Sequence, residues 1–252
     1  MTALFSWRAR RQLFYIGILG AIILGVLIYA GVRLIPETTC FDNKRNQEEE
    51  GIDCGGPCKP CLENLSEPVV LWSRFFKLGE GVYEAVALVE NLHNFASSRR
   101  AFYRVKLYDQ NNILIALREG ETFINPNERF LILEPGLLVG ARTPARILIE
   151  FEPIVWQYAE YTSPNVVVVS RNFSAVPQPR LDATLRNNNL FEVGNLQVAA
   201  VLLDREGTAL AASVTVVEKI DGRSEKTISF SWPSTLQEAP ETVEILIRTF
   251  VP

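Results

Sequence analysis

Two hydrophobic patterns divide the chain. Residues 13–35, LFYIGILGAIILGVLIYAGVRLI, are apolar on every side; from Phe14 to Val32 there are nineteen residues with no charge, Asn, Gln or Pro. At a helical rise of about 1.5 Å per residue this run spans roughly 28 Å, close to the thickness of a bilayer's hydrocarbon core. From about residue 66 the pattern changes to short runs of alternating side chains separated by turn residues, the signature of strands. Strands are expected over 69–78, 82–91, 101–108, 113–118, 129–133 and 145–151, then over 166–173, 181–186, 194–203, 209–217, 226–232 and 243–250. In the third of these, Tyr103, Val105 and Leu107 fall on one face while Arg104 and Lys106 fall on the other, as in an antiparallel sheet with one face buried and one wet. The sixth alternates poorly around Ile147, Ile149 and Glu150, so it is either covered on both sides or read one residue out of register.

The two sets of strands match each other. VVLWSRFF (69–76) aligns with VVVVSRNF (166–173), ALVEN (87–91) with ATLRN (183–187), VKLYDQNNILIA (105–116) with AVLLDREGTALA (200–211), and ILIEFEP (147–153) with ILIRTFVP (245–252). Four matches in the same order point to a duplicated domain, longer than the roughly 20–50 residues of a solenoid repeat. Each copy has the size and strand rhythm of an immunoglobulin-like β-sandwich. The expected organisation is a tail at 1–12, a transmembrane helix at 13–35, a cysteine-rich knot at 36–64, a first sandwich at 65–153, a linker at 154–164 and a second sandwich at 165–252. The fold class is mainly β.

The apolar run is longer than the roughly 7–15 residues of a signal peptide's core, and no small-x-small cleavage site stands out before Pro36. A core helix would be polar on at least one face. An uncleaved anchor is therefore favoured over both alternatives. Arg8, Arg10 and Arg11 precede the run without an acid, whereas Glu37, Asp42, Glu48, Glu49, Glu50 and Asp53 follow it. Basic residues beside a span stay cytoplasmic, which places the N-terminus inside and the long C-terminal part outside. Gly17 and Ala21 make one small-xxx-small pair, a spacing too common in apolar spans to specify a dimer.

The four cysteines, Cys40, Cys54, Cys58 and Cys61, lie within the 22 residues CFDNKRNQEEEGIDCGGPCKPC. Their spacing would also suit a tetrahedral zinc site. An extracytoplasmic location favours two disulfides instead, in any of three pairings. Asp42, Asn46, Glu48, Glu49 and Asp53 could together offer oxygens to calcium. The spacing is not that of an EF-hand, and a solvated acidic turn with Asx-type hydrogen bonds is favoured; no cofactor is expected.

This segment resembles a short Cys-rich module of secreted and surface-anchored proteins, with the approximate form C-x-D-x3-N-x-[DE]-E-x-G-x-D-C-G-G-x-C-x2-C. The resemblance rests on Cys40, Asp42, Asn46, Glu48, Glu49, Gly51, Asp53, Cys54, Gly55, Gly56, Cys58 and Cys61, and implies an extracellular disulfide-bonded knot beside other domains, without an activity. Val105-Lys106-Leu107-Tyr108-Asp109, with Pro126-Asn127-Glu128 in a later turn, resembles the FxLYD-type domain, a small β-sandwich of bacterial surface proteins. Here Val105 stands for that family's Phe and Asn127 for its Gly, and only Leu202 and Asp204 persist in the second copy.

Candidate chemistry is sparse. The single His, His93, is placed in a loop after a strand, and no G-x-S-x-G, H-E-x-x-H or phosphate-cradling glycine loop is present. Glu119 and Glu121 are expected to face solvent, Trp72 and Trp232 to lie in sandwich cores. The segment EPIVWQYAEYTSP joins the copies, and its Trp156, Tyr158 and Tyr161 are expected to wedge between them. A net charge of −4 with scattered bases argues against nucleic acid. The expected protein is thus not an enzyme. It is a single-pass cell-membrane protein that presents two β-sandwiches for binding or scaffolding, its partners being the bilayer and another envelope or surface protein or glycan. An alternative is an accessory subunit of a secretion, pilus or division complex that acts through its transmembrane helix; an enzyme is the remote alternative.

Overall fold

The computed structural model describes residues 7–34, 40–46, 48–63, 65–159, 163–233, 236 and 238–250. The chain is mainly β with one helix, and it forms two compact units, Met1–Cys61 and Leu62–Pro252.

The first unit begins with helix α1 (Trp7–Leu34). Its stretch Arg11–Gly31 is long and apolar enough to cross a membrane, and none of it is buried. Leu13, Ile16, Leu19, Ile23, Leu27 and Tyr29 are all exposed, so the apolar surface runs around the whole circumference. No sheet or helix of this unit covers it among the described residues. The cysteine segment follows as a set of turns without regular strands.

The second unit contains β1 (Val69–Gly79), β2 (Val82–Glu90), β3 (Ala96–Tyr108), β4 (Leu114–Ile124), β5 (Arg129–Leu138), β6 (Arg146–Phe151) and the short β7 (Gln157–Tyr158). It continues with β8 (Val166–Ser174), β9 (Arg180–Asn187), β10 (Val193–Leu203), β11 (Ala209–Ile220), β12 (Glu225–Ser231) and β13 (Thr242–Arg248). Each of the twelve strands expected from alternation has a counterpart. β3 starts earlier than expected, and β4 and β5 run further, because their polar residues face outward from a sheet and do not end it. Arg100 pairs with Glu121 across β3 and β4, for example. The two-residue β7 carries no periodicity and was not expected.

All strand pairs are antiparallel, in four sheets: β1-β2-β5, β4-β3-β6 with β7 beside β3, β12-β9-β8, and β11-β10-β13. The order is the same in residues 69–151 and 166–248, with β8 in the place of β1 and so on through β13 and β6. The equivalence extends to single residues. Asn91 and Asn187 are both fully buried at the ends of β2 and β9. Each side-chain amide donates to backbone carbonyls across the sandwich, Ala96 and Asn125 in one case, Phe191, Ile220 and Asp221 in the other. Asp109 and Asp204 each accept from the backbone N–H four residues on, closing the turns after β3 and β10.

Three apolar clusters separate the four sheets. Ala85, Ala87 and Val89 of β2 meet Tyr103, Val105 and Leu107 of β3 inside the first sandwich. Leu181, Ala183 and Leu185 of β9 meet Val198, Ala200 and Leu202 of β10 inside the second. The third cluster joins Val86, Leu88 and Leu131 to Ala199, Val201, Ala209 and Ala212. The outer face of β1-β2-β5 therefore packs on the outer face of β11-β10-β13. β2 and β10 are consequently buried on both faces, which is why AVALV (85–89) and VAAVLL (198–203) are continuous apolar runs.

Candidate functional site

In the cysteine segment the disulfides are Cys40–Cys58 and Cys54–Cys61, an interleaved pairing. Close packing explains the glycines: a Cβ at Gly51 would sit 2.8 Å from the Cys54 sulfur, and Gly55, at φ +81°, would drive one to 2.8 Å from the backbone nitrogen of Glu50. The acidic side chains are turned to the backbone. Asp53 accepts from the N–H groups of Asp42 and Asn43, and Asp42 from Lys44 N–H and the Asn46 amide. Glu49, 4 % exposed, accepts from the N–H groups of Asn46 and Asp53. Glu48 is exposed and holds a positive φ of 64°. These are the Asx-type hydrogen bonds expected of a capped acidic turn. Cys40, Glu49 and Cys58 lie close together, but the two sulfurs are bonded to each other and offer no thiolate.

The joint between the sandwiches is the most extensive buried feature outside the two cores. It exists because equivalent strands carry opposite outer faces. On β2 the outward residues are Val86 and Leu88; the residues at those positions on β9 are Asp182 and Thr184. On β3 the outward residues are Arg104 and Lys106, paired with Glu152 and Glu150; on β10 they are Ala199 and Val201. One sandwich thus offers an apolar first sheet, the other an apolar second sheet, and the two mate. The remaining outer faces carry ion pairs such as Arg104–Glu119 and Arg186–Glu225, which keeps the head-to-tail contact from propagating.

A polar lock closes one end of this joint. Arg248, at the end of β13, is 4 % exposed and pairs with Glu128, 9 % exposed, at 3.3 Å. Its guanidinium lies 3.8 Å and 4.4 Å from the ring centroids of Phe123 and Phe130 and donates to the Phe123 carbonyl. Asn125 donates to the Thr249 carbonyl at 3.0 Å, and Phe250 packs edge-on to Phe123. Glu128 is also held by the Asn125 amide, so the groups of the lock come from the end of β4, the β4–β5 turn, the start of β5 and the end of β13 with the two residues after it. The turn needs Asn127 at φ 47°, a position where the FxLYD pattern has Gly.

Elsewhere along the joint a cavity of about 430 Å³ is lined by Glu84, Asp204, Glu238, Arg74 and Lys77, with Trp232 at its wall. Glu84 is 7 % exposed, and burial lifts its carboxyl from 4.5 to about 7.

The aromatic linker residues sit differently. Trp156 packs on the core of the first sandwich and edge-on to His93, and Tyr158 belongs to β7 beside β3; Tyr161 lies outside the described residues. The joint is filled by Val86, Leu88, Leu131, Ala199 and Val201, with Trp72 and Phe76 packed against them. The signal for it in the sequence is the unbroken apolar run on β2 and β10, where alternation would have been expected. Trp232 is in the second core with its indole N–H donating to the Ala212 carbonyl. His93 is half-buried, its Nε2 within 3.1 Å of Ser66. Glu119 and Glu121 are exposed and ion-paired. Arg11 is exposed on α1; the side chains of Arg8 and Arg10 lie outside the described residues. No protein-family profile and no curated protein sequence matches this chain.

Proposed function

We propose that this is a single-pass membrane protein of the cell envelope that presents a pair of immunoglobulin-like domains, copies of one ancestral sandwich, for binding or scaffolding outside the membrane. The observation that carries the reading is α1, whose 21-residue stretch Arg11–Gly31 exposes apolar side chains on all sides and buries none. A surface of that kind in water would cost about 25 cal/mol for each Å² left exposed, and a bilayer removes the cost. The arginines before the helix support an N-terminus in the cytoplasm, and the disulfides support an oxidising compartment after it. The joined sandwiches then act as a stiff presenting element whose role is contact with another envelope protein or glycan, without catalysis.

Reporter fusions at residue 252 test the topology, with N-terminal sequencing of the membrane fraction. Active alkaline phosphatase, a non-fluorescent green fluorescent protein fusion and an intact first residue are expected. A mature N-terminus beyond residue 30 would make this a released protein and overturn the tethering role.

A further inference from the structure

Glu84 is the exception on the mating face of β2. Val86 and Leu88, which share that face, are packed into the apolar joint. The position equivalent to Glu84 on β9 is Arg180, which is exposed and paired with Asp182. Glu84 is instead 7 % exposed, and among the described residues its side chain makes no hydrogen bond and no ion pair. Burying a carboxylate without a partner is costly, and an apolar residue of similar volume would hold the joint more firmly. Packing of the two sandwiches therefore gives no reason for an acid here.

The carboxylate has one outlet. Glu84 is part of the wall of the cavity of about 430 Å³, a volume within the roughly 300–1,000 Å³ of small-molecule sites. Phe76, Leu210, Leu236 and Trp232 supply apolar wall. Asp204, which accepts from the Thr208 N–H, and the exposed Glu238 add negative charge. Arg74 and Lys77 line it too, but both are exposed and neither compensates Glu84, whose carboxyl is lifted by burial with no offset from a cation. Among the described residues the carboxylates of this cavity do not converge as a metal ion's ligands would. A single desolvated anion beside apolar wall suits a ligand that brings both a cation and an apolar body. An ammonium has three donors, and its hydrogen bond to a carboxylate is roughly twice as strong as one between neutral groups.

We propose that the cavity binds an organic ammonium group carried on an apolar body, with Glu84 accepting from the ammonium nitrogen and Phe76, Leu236 and Trp232 flanking the body. The ammonium can come from a free amine or from a lysine side chain of a partner protein. This goes beyond the presenting role proposed above. It rests on the joined sandwiches and not on α1, so it and the membrane topology can fail separately.

The test is calorimetric titration of the full-length chain in detergent micelles at pH 8, where Glu84 is largely ionised, with protein-free micelles as the blank. The ligands are phenethylamine, phenethyl alcohol, phenylpropionate and N-acetyl-lysine methylamide. At least one of the two amines is expected to bind about tenfold or more tightly than the alcohol and the carboxylate, the worth of one hydrogen bond to a charged group. Binding by phenethylamine alone assigns the ammonium to a free amine, and binding by the blocked lysine alone assigns it to a partner's side chain. E84Q keeps the shape of the wall and is expected to weaken the amine about tenfold or more, with an unchanged circular dichroism spectrum. The preference among ligands is read on the unaltered chain and needs no variant. Absence of amine binding, an alcohol or carboxylate that binds as well as the amines, or an E84Q chain that binds the amine like the wild type overturns the proposal.

Discussion

Removing the Arg248 side chain tests whether the two sandwiches are one structural body. Arg248 and Glu128 are both almost fully buried and 3.3 Å apart. Deleting one partner leaves a desolvated charge uncompensated, an effect of about 3–5 kcal/mol. The contacts with Phe123 and Phe130 add to the loss, but they share the same guanidinium and are not a separate sum. R248M keeps most of the apolar volume and should therefore report mainly the orphaned carboxylate, softened by the Asn125 amide that still holds it. We expect about 3 kcal/mol, a change of roughly 150-fold in the folding constant, from urea unfolding of the full-length chain in micelles followed by tryptophan fluorescence. The double variant R248M/E128L removes both charges and should return to within about 1 kcal/mol of the wild type. Hydrogen exchange should rise on β2 and β10 in the single variant, since these strands lose the cover on their outer faces first. A loss below about 1 kcal/mol for R248M, or a double variant no better than the single, would refute the lock.

Three further outcomes are expected. Glu84 binds a proton more tightly when folded, its carboxyl being lifted from 4.5 to about 7, so the folded state holds the extra proton between these values and stability falls as pH rises through that window. The full effect is about 3 kcal/mol at most, and E84Q should flatten the difference between denaturation midpoints at pH 5 and pH 8; Arg74, Lys77, Asp204 and Glu238 share the cavity, and an unchanged profile in E84Q would assign the slope to them. N91A and N187A should each cost about 2–3 kcal/mol, the first by leaving two buried carbonyls without a donor and the second by leaving one buried and two part-buried carbonyls without one, and a near-neutral result in either would contradict this reasoning. W156A should destabilise the first sandwich by about 2 kcal/mol while leaving the small-angle scattering envelope unchanged, because Trp156 is seated on that core; an opened envelope would return it to the joint.

Much of the acidic turn was legible because its chemistry is local. Asp42, Glu49 and Asp53 reach backbone groups, and Asn46 the Asp42 carboxylate, within about a dozen residues, and an extracytoplasmic location favours bridges among cysteines so close together. The pairing was not legible, because three closures of four thiols are compatible with one spacing and only the packing of Gly51 and Glu49 among them selects one.

The strands themselves follow from the sequence, since a period of two records which side chains share a face. So does the long apolar run that forms α1, which needs no partner element to be recognised. What alternation does not record is whether a second surface covers the other face. β2 and β10 show this: their apolar runs have no preferred side until the sandwiches mate. Tertiary structure alone decided that Arg248 meets Glu128, 120 positions away in the chain, and that Ser73, not Arg74, takes the position on β1 equivalent to Arg171 on β8. Both depend on pairing register and on distant closure, where a one-residue slip reverses every side chain. Neighbouring residues in sequence carry no information about either.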